Sequence, residues 1–224
     1  MAPLEKMGKI DFKSLNLFPE GIAYWEKENQ IILGSYGHGD IYQYDRTNHK
    51  LSTLISDSLL IGPASIAIDN NNDVMYVANG DGGLSNRSSI QSTNKKASLL
   101  IYNLKTKERM HNIDLSNLYK GDKTTANGLV LDQENNIYIS DSFKPVIYKV
   151  EHKTLTPSVF VEDERFYGKS YNLNGIAYHP NGYLLALQMG TGEIFKIDIK
   201  TKKISRVKLN DKIIGADGIT LINN

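Results

Sequence analysis

Short apolar segments separated by polar turns run through most of the chain, and their order repeats. Each repeat opens with a six-residue motif, found at Pro19–Tyr24, Pro63–Ile68, Ala126–Leu131, Leu173–Tyr178 and Ala216–Leu221. The third position of this opening motif is a small residue, Gly21, Ser65, Gly128, Gly175 or Gly218. The spacing is roughly 45 residues with one longer step, which indicates a repeat architecture.

Each repeat predicts four short strands, the first of which is the opening motif. Second strands are predicted at Ile31–Tyr36, Val74–Ala78, Ile137–Ser140 and Leu184–Leu187. Third strands alternate apolar and polar residues and end on a polar one, at Ile41–Asp45, Leu99–Asn103, Ile147–Glu151 and Ile194–Asp198. A weaker fourth strand follows, such as Ile204–Val207, and turn residues separate the strands. Four strands in a repeat of this length are typical of a β-propeller blade.

Composition narrows the classes of function. The formal net charge is +1, with 40% hydrophobic residues, a mean hydropathy of −0.36 and no cysteine. A near-neutral chain lacks the basic excess with which proteins bind nucleic acid or a membrane surface. No apolar run approaches the roughly 20 residues of a membrane helix, and the N-terminus has no signal-like apolar stretch. We expect a cytoplasmic protein, with secretion open if a signal peptide has been removed; the oligomeric state is not indicated.

The second position of the opening motif carries the candidate chemistry. It is Glu20, Asn127, Asn174 and Asp217 in the first, third, fourth and fifth repeats, and Ala64 in the second. From about residue 18 onward the chain resembles the gluconolactonase, senescence-marker and luciferin-regenerating family of calcium propellers. Paraoxonases and diisopropylfluorophosphatase are similar at greater distance.

This resemblance implies a six-bladed propeller with a calcium ion on its central axis. It implies Glu20, Asn174 and Asp217 as metal ligands, with Asn127 a fourth ligand or a contact to substrate or water. The family likewise takes no ligand from its second blade. Its aspartate is the proposed catalytic residue, which makes Asp217 the candidate general base or nucleophile.

The expected architecture is one all-β propeller domain over 1–224, with repeats at 19–61, 62–124, 125–171 and 172–214 and the start of a fifth at 215–224. Because this is fewer than six blades, either the ring is truncated or it has fewer blades than six, and we favour truncation.

Propeller geometry agrees with the implied ligand set. The strands nearest the axis all start at one face, so the residues that open the repeats point toward a common centre. Carboxylate and amide oxygens suit calcium, which prefers 6–8 oxygen ligands, while the soft ligands that favour zinc or copper are absent. Another hard divalent cation would fit the same set.

Two further features are predicted on the ligand face. The long connection Asn79–Ser98 is either a flap beside the mouth of the pocket or a disordered surface loop. His38, between Gly37 and Gly39, is a candidate substrate contact or proton relay. Asp141 is predicted to cap a turn.

Three functions stay open. The first is a calcium-dependent hydrolase of a small-molecule lactone or related ester, in which the resemblance implies a metal-polarised carbonyl. The second is a non-catalytic propeller that binds a ligand or a protein and holds a structural calcium, since a fold does not fix a function. The third is a sugar-lactone enzyme of a pentose or uronic acid pathway, which differs from the first only in substrate.

Overall fold

The computed structural model describes residues 16–168 and 171–222, and these residues form an all-β structure of sixteen strands and two short 3-10 helices. The first antiparallel unit consists of β1 (Pro19–Trp25), β2 (Gln30–Ser35), β3 (Asp40–Asp45) and β4 (Lys50–Ser56). The second consists of β5 (Gly62–Asp69), β6 (Val74–Gly80), β7 (Lys95–Asn103) and β8 (Arg109–Asp114).

The third and fourth units repeat this order. The third consists of β9 (Thr124–Leu131), β10 (Ile137–Asp141), β11 (Val146–Val150) and β12 (Pro157–Glu162). The fourth consists of β13 (Leu173–His179), β14 (Tyr183–Gln188), β15 (Glu193–Asp198) and β16 (Ile204–Arg206). The 3-10 helices are Glu26–Glu28 and Glu164–Phe166. A short parallel pairing of Lys95 and Lys96 with Thr124 and Thr125 joins the second and third units into one larger sheet.

The polar residue at the end of the third strand explains the tight turn that follows. Asp45 accepts hydrogen bonds from the backbone N–H groups of Thr47 and Asn48 at 2.7 and 3.1 Å. Asn103 plays the same part in the second unit. Side chains of this kind replace backbone partners in turns, which is why they recur at this position.

The hydrophobic core lies between neighbouring units. Trp25, Ile32 and Ile41 of the first unit are buried against Met75 and Leu100 of the second. Two similar clusters lie between the second and third units and between the third and fourth. Four-stranded antiparallel sheets packed face to face in chain order are the arrangement of propeller blades.

The first strands of successive units contact one another, in the order β1, β5, β9, β13. A Cβ added at Gly128 would lie 2.4 Å from the carbonyl oxygen of Asn174, so glycine permits a close approach of the two strands. These strands therefore form the inner layer of the structure.

The fifth opening motif differs from its prediction. A first strand is expected from residue 215, but residues 215–222 form no strand, and 223–224 lie outside the described residues. The segment is held by isolated bonds, such as the Gly175 N–H donating to the Asp217 carbonyl at 2.9 Å. A strand needs a continuous hydrogen-bonded partner, and no second strand of a fifth unit lies beside it among the described residues.

None of the sheets formed by the described residues closes on itself. On the inner strand of the first unit Ile22 is 66% exposed, and at the other end of the inner layer a Cβ at Gly218 would meet nothing within 4 Å. In the described part of the chain, no helix is long and apolar enough to cross a membrane.

Candidate metal and substrate site

The four side chains predicted as ligands come together at the centre of the structure. Glu20, Asn127, Asn174 and Asp217 all line a cavity of about 720 Å³ between the inner strands. The same four also line a second cavity of about 510 Å³ that we call the mouth. They therefore lie where the two cavities adjoin. Ala64 of the second repeat lines only the inner cavity.

An irregular strand register accompanies the candidate ligands. Pairing of β1 with β2 shifts between Pro19 and Ile22, and pairing of β13 with β14 shifts between Leu173 and Ile176. The pairing of β10 with β9 shifts beside Asn127, and that of β5 with β6 beside Ala64. Such bulges re-aim a side chain without ending the strand. The opening motif thus has the same local distortion in all four units.

Hydrogen bonds orient the two amides. Asn127 Nδ2 donates to Ser142 Oγ at 2.9 Å, and Ser142 Oγ in turn donates to the Leu173 carbonyl at 2.9 Å. Because that hydroxyl proton is already used, Ser142 can only accept from Asn127. Asn174 Nδ2 lies 3.5 Å from the sulfur of Met189, which has no hydrogen to donate. Both amides therefore keep their oxygen atoms free for another partner.

The two carboxylates repel each other. Glu20 is an exposed residue at the cavity wall, and partial desolvation of its carboxyl, followed by the negative charge of Asp217, raises its pKa above the ordinary value. Glu20 opens the first strand of the first unit, whereas Asp217 is positioned by the bond between its own carbonyl and Gly175. Two carboxylates in need of a counter-charge and two free amide oxygens are the donor set of a hard cation. The residues present therefore fit a calcium ion.

No three His, Cys, Asp or Glu side chains in residues 16–168 and 171–222 form a metal-binding group of their own. The mixed set of acids and amides is thus the candidate metal site of the described chain, and its chemistry argues against a histidine- or thiolate-based centre.

Two polar side chains at the mouth were not singled out from the sequence. Tyr36 accepts a hydrogen bond from the Gly82 N–H at 2.9 Å, and burial raises its pKa to about 12. Thr125 also lines the mouth, but its Oγ1 is buried without a hydrogen-bond partner and faces Gly80. No local sequence pattern distinguishes either side chain, because both positions depend on contacts with distant residues.

The long connection between β6 and β7 is a loop that hydrogen bonds hold in place. Arg87 donates to the carbonyls of Asp57 and Leu60 at 2.7 and 3.0 Å and to Asp40 Oδ1 at 2.7 Å. Buried Asp81 accepts from Gly83 N–H at 2.8 Å. Because Gly82 and Leu84 line the mouth, the loop takes the place expected of a flap, and the alternative of a disordered loop is not favoured.

His38 lies apart from the four candidate ligands. Its Nδ1 is 2.8 Å from the hydroxyl of Tyr42, and His38 lines neither the inner cavity nor the mouth. A role in substrate binding remains a prediction that this position does not support. Asp141 is buried and accepts from the N–H groups of Phe143 and Lys144 at 2.8 and 3.1 Å, as a turn-capping residue does.

Comparison with known proteins gives the fold. No protein-family model matches the chain, and no curated protein matches it. Among solved structures, the chain is similar to one chain of a crystal structure of a nidogen/laminin complex, with a TM-score of 0.67 and 13% identity. That neighbour is a β-propeller protein. The similarity covers 92% of this chain and 70% of that chain. The protein therefore has an all-β, propeller-like fold.

Proposed function

We propose that the protein is a calcium-dependent hydrolase of lactones or related esters, built on a propeller of the six-bladed type. One observation carries the proposal. Four oxygen-bearing side chains, each from a different repeat, line one cavity, and the two amides among them have their donor ends held by other residues. The resemblance of the opening motifs to calcium-dependent lactonases supports the choice of reaction.

Glu20, Asn127, Asn174 and Asp217 would hold the ion. When bound, calcium supplies Lewis-acid polarisation of the ester carbonyl. The Asp217 carboxylate activates the attack, either by accepting the proton of a water molecule as a general base or by attacking the carbonyl carbon as a nucleophile. Single-turnover hydrolysis in ¹⁸O-water tests the nucleophilic route: attack by Asp217 forms a mixed anhydride, and label in the Asp217 carboxyl after water opens that anhydride at the Asp217 carbonyl identifies Asp217 as the nucleophile.

The test is hydrolysis of a panel of esters and lactones by chelator-treated protein, before and after calcium is added. We expect activity only with calcium, and a loss of at least 100-fold in kcat for Asp217→Asn. Asp211→Asn makes the same chemical change at an exposed residue that lines neither cavity, and it should leave the activity unchanged. A wild-type protein that turns over none of the panel at millimolar calcium would overturn the proposal.

A binding platform is the second candidate. The similar solved structure is a complex of two proteins, and the apolar side chain of Ile22, on the inner strand of the first unit, is 66% exposed. Full calcium occupancy without turnover of any ester, lactone or phosphotriester would favour a propeller that binds a ligand or a protein and holds a structural calcium.

A further inference from the structure

Large apolar side chains surround the mouth above the candidate ligands. We call them the apolar collar, and they are Phe18, Leu84, Phe143, Tyr171 and Met189. Leu84 is 69% exposed, Phe18 58% and Tyr171 42%. A contiguous group of exposed apolar side chains around a cavity indicates a surface that binds an apolar partner.

The collar is assembled from connections that belong to all four units. Phe18 immediately precedes β1 and Leu84 lies between β6 and β7. Phe143 lies between β10 and β11, Tyr171 just before β13, and Met189 just after β14. The rings of Phe143 and Tyr171 are 5.5 Å apart between centroids. The common property of these connections is that they reach the same end of the inner strands.

Hydrogen bonds hold the backbone in place at two members of the collar. Arg87 fixes the loop that carries Leu84 to the carbonyls of Asp57 and Leu60. Phe18 has φ of 40°, a left-handed conformation that is unfavourable for a bulky residue, and its carbonyl accepts from the Tyr36 N–H at 3.0 Å. Strain of this kind is kept where the surrounding structure requires it, most often at functional sites. The collar is therefore a preformed wall.

The candidate ligands mark the base of the mouth, because they also line the inner cavity. Apart from the Tyr36 and Tyr171 hydroxyls, the side-chain donors and acceptors that line the mouth are those of Glu20, Asn127, Asn174 and Asp217. A sugar lactone carries hydroxyl groups around its ring, and the collar would leave many of them without a partner. An alkyl or aryl group loses nothing by leaving water for such a wall.

We propose that the collar binds the apolar limb of the substrate, so that the protein prefers alkyl- or aryl-substituted lactones and esters to sugar lactones. This inference rests on the proposed function and names its substrate class. The polar base takes the carbonyl group, and the collar takes the substituent. A cavity of about 510 Å³ has room for a small lactone ring with a short alkyl chain.

The experiment uses a series of γ-lactones with lengthening alkyl substituents, γ-butyrolactone, γ-hexalactone and γ-octalactone, beside glucono-δ-lactone. In the calcium-loaded protein, kcat/KM should rise roughly threefold per added methylene group, which is about tenfold between the last two γ-lactones. Glucono-δ-lactone should be the poorest substrate. A flat series, or preference for glucono-δ-lactone, would overturn the inference and leave the proposed hydrolase function standing.

Matched variants test the collar itself. Leu84→Ala should flatten the dependence on chain length, whereas Ile90→Ala should not, because Ile90 lies on the same loop, is 84% exposed and lines neither cavity. An equal response of both variants would contradict the assignment.

A binding measurement tests the proposed role of the collar separately from the proposed hydrolase function. Saturation-transfer NMR of γ-octalactone with calcium-free protein should show transfer strongest at the alkyl protons and weakened by Leu84→Ala. This signal does not depend on turnover, so it supports the collar even where hydrolysis fails. No transfer to γ-octalactone at millimolar concentration would overturn the collar.

Discussion

Glu20 and Asp217 lie near opposite ends of the chain, and the fold brings the Asp217 carboxylate close enough to raise the pKa of Glu20. Partial desolvation of the Glu20 carboxyl raises that pKa further. An acid whose pKa is raised by folding destabilises the folded state once the pH passes above its unfolded value, about 4.3 for glutamate. The raised pKa of Glu20 is thus unfavourable for folding at neutral pH, and the proposed cation would relieve it.

Metal-free Glu20→Gln should therefore be more stable than metal-free wild type at pH 7, with the difference disappearing below about pH 4. Calcium should raise the midpoint of thermal unfolding of wild type and have little effect on the variant. Thermal denaturation with chelator and with calcium at several pH values measures both effects. Glu28→Gln changes an exposed glutamate outside both cavities and is the control. A less stable Glu20→Gln protein at pH 7 in chelator would contradict this account.

Ser142 should matter for calcium although it is not a candidate ligand. Its hydroxyl holds the donor end of Asn127, so Ser142→Ala frees that amide to rotate. Loss of such an orienting contact typically lowers metal affinity by about 10- to 100-fold. Calorimetric calcium titration measures the change, with Ser205→Ala, an exposed serine of β16, as the comparison. Equal affinities of Ser142→Ala and wild type would show that the contact orients nothing.

Thr124 and Thr125 are adjacent residues whose replacement by valine should affect stability differently. The Thr124 hydroxyl donates to buried Asp141, so Thr124→Val should destabilise the protein by about 1–3 kcal/mol. The Thr125 hydroxyl is buried without a partner, so Thr125→Val should leave stability unchanged or raise it. Chemical denaturation of both variants tests the pair. A Thr125→Val protein destabilised as much as Thr124→Val would contradict this expectation.

Gly128 and Gly218 occupy the same position of the motif in different packing environments. A Cβ at Gly128 would meet the Asn174 carbonyl oxygen at 2.4 Å, whereas one at Gly218 would meet nothing within 4 Å. Gly128→Ala should cost about 1–3 kcal/mol, and Gly218→Ala less than about 0.5 kcal/mol. Thermal unfolding distinguishes them, at about 2–4 °C per kcal/mol for a chain of this size. Similar midpoints for the two variants would mean that the inner strands do not need this close approach.

The repeating pattern predicts the strands well because it reflects burial of alternate side chains in every unit. It also predicts that Glu20, Asn127, Asn174 and Asp217 meet, since residues at equivalent positions of a repeat occupy equivalent places. The small residue at the third position of the motif has a role that only the packing explains. Gly128 has no positive φ, and its lack of a side chain lets β9 and β13 approach closely.

Other features depend on contacts that no local pattern records. The collar residue Phe143 lies in a turn, and the Arg87 contacts join segments about 30 to 50 residues apart. The first strand of a fifth repeat was expected from Ala216–Leu221, but a strand forms only beside a partner strand. Local sequence therefore predicts the inner layer of the site better than its mouth.

The most direct test of the central claim is a crystal structure of the protein with calcium. We predict one ion between the two cavities, with calcium–oxygen distances of about 2.3–2.6 Å to Glu20, Asn127, Asn174 and Asp217 and the remaining positions filled by water. A calcium-saturated crystal with no ion among these four side chains, or with the ion bound elsewhere, would contradict the claim.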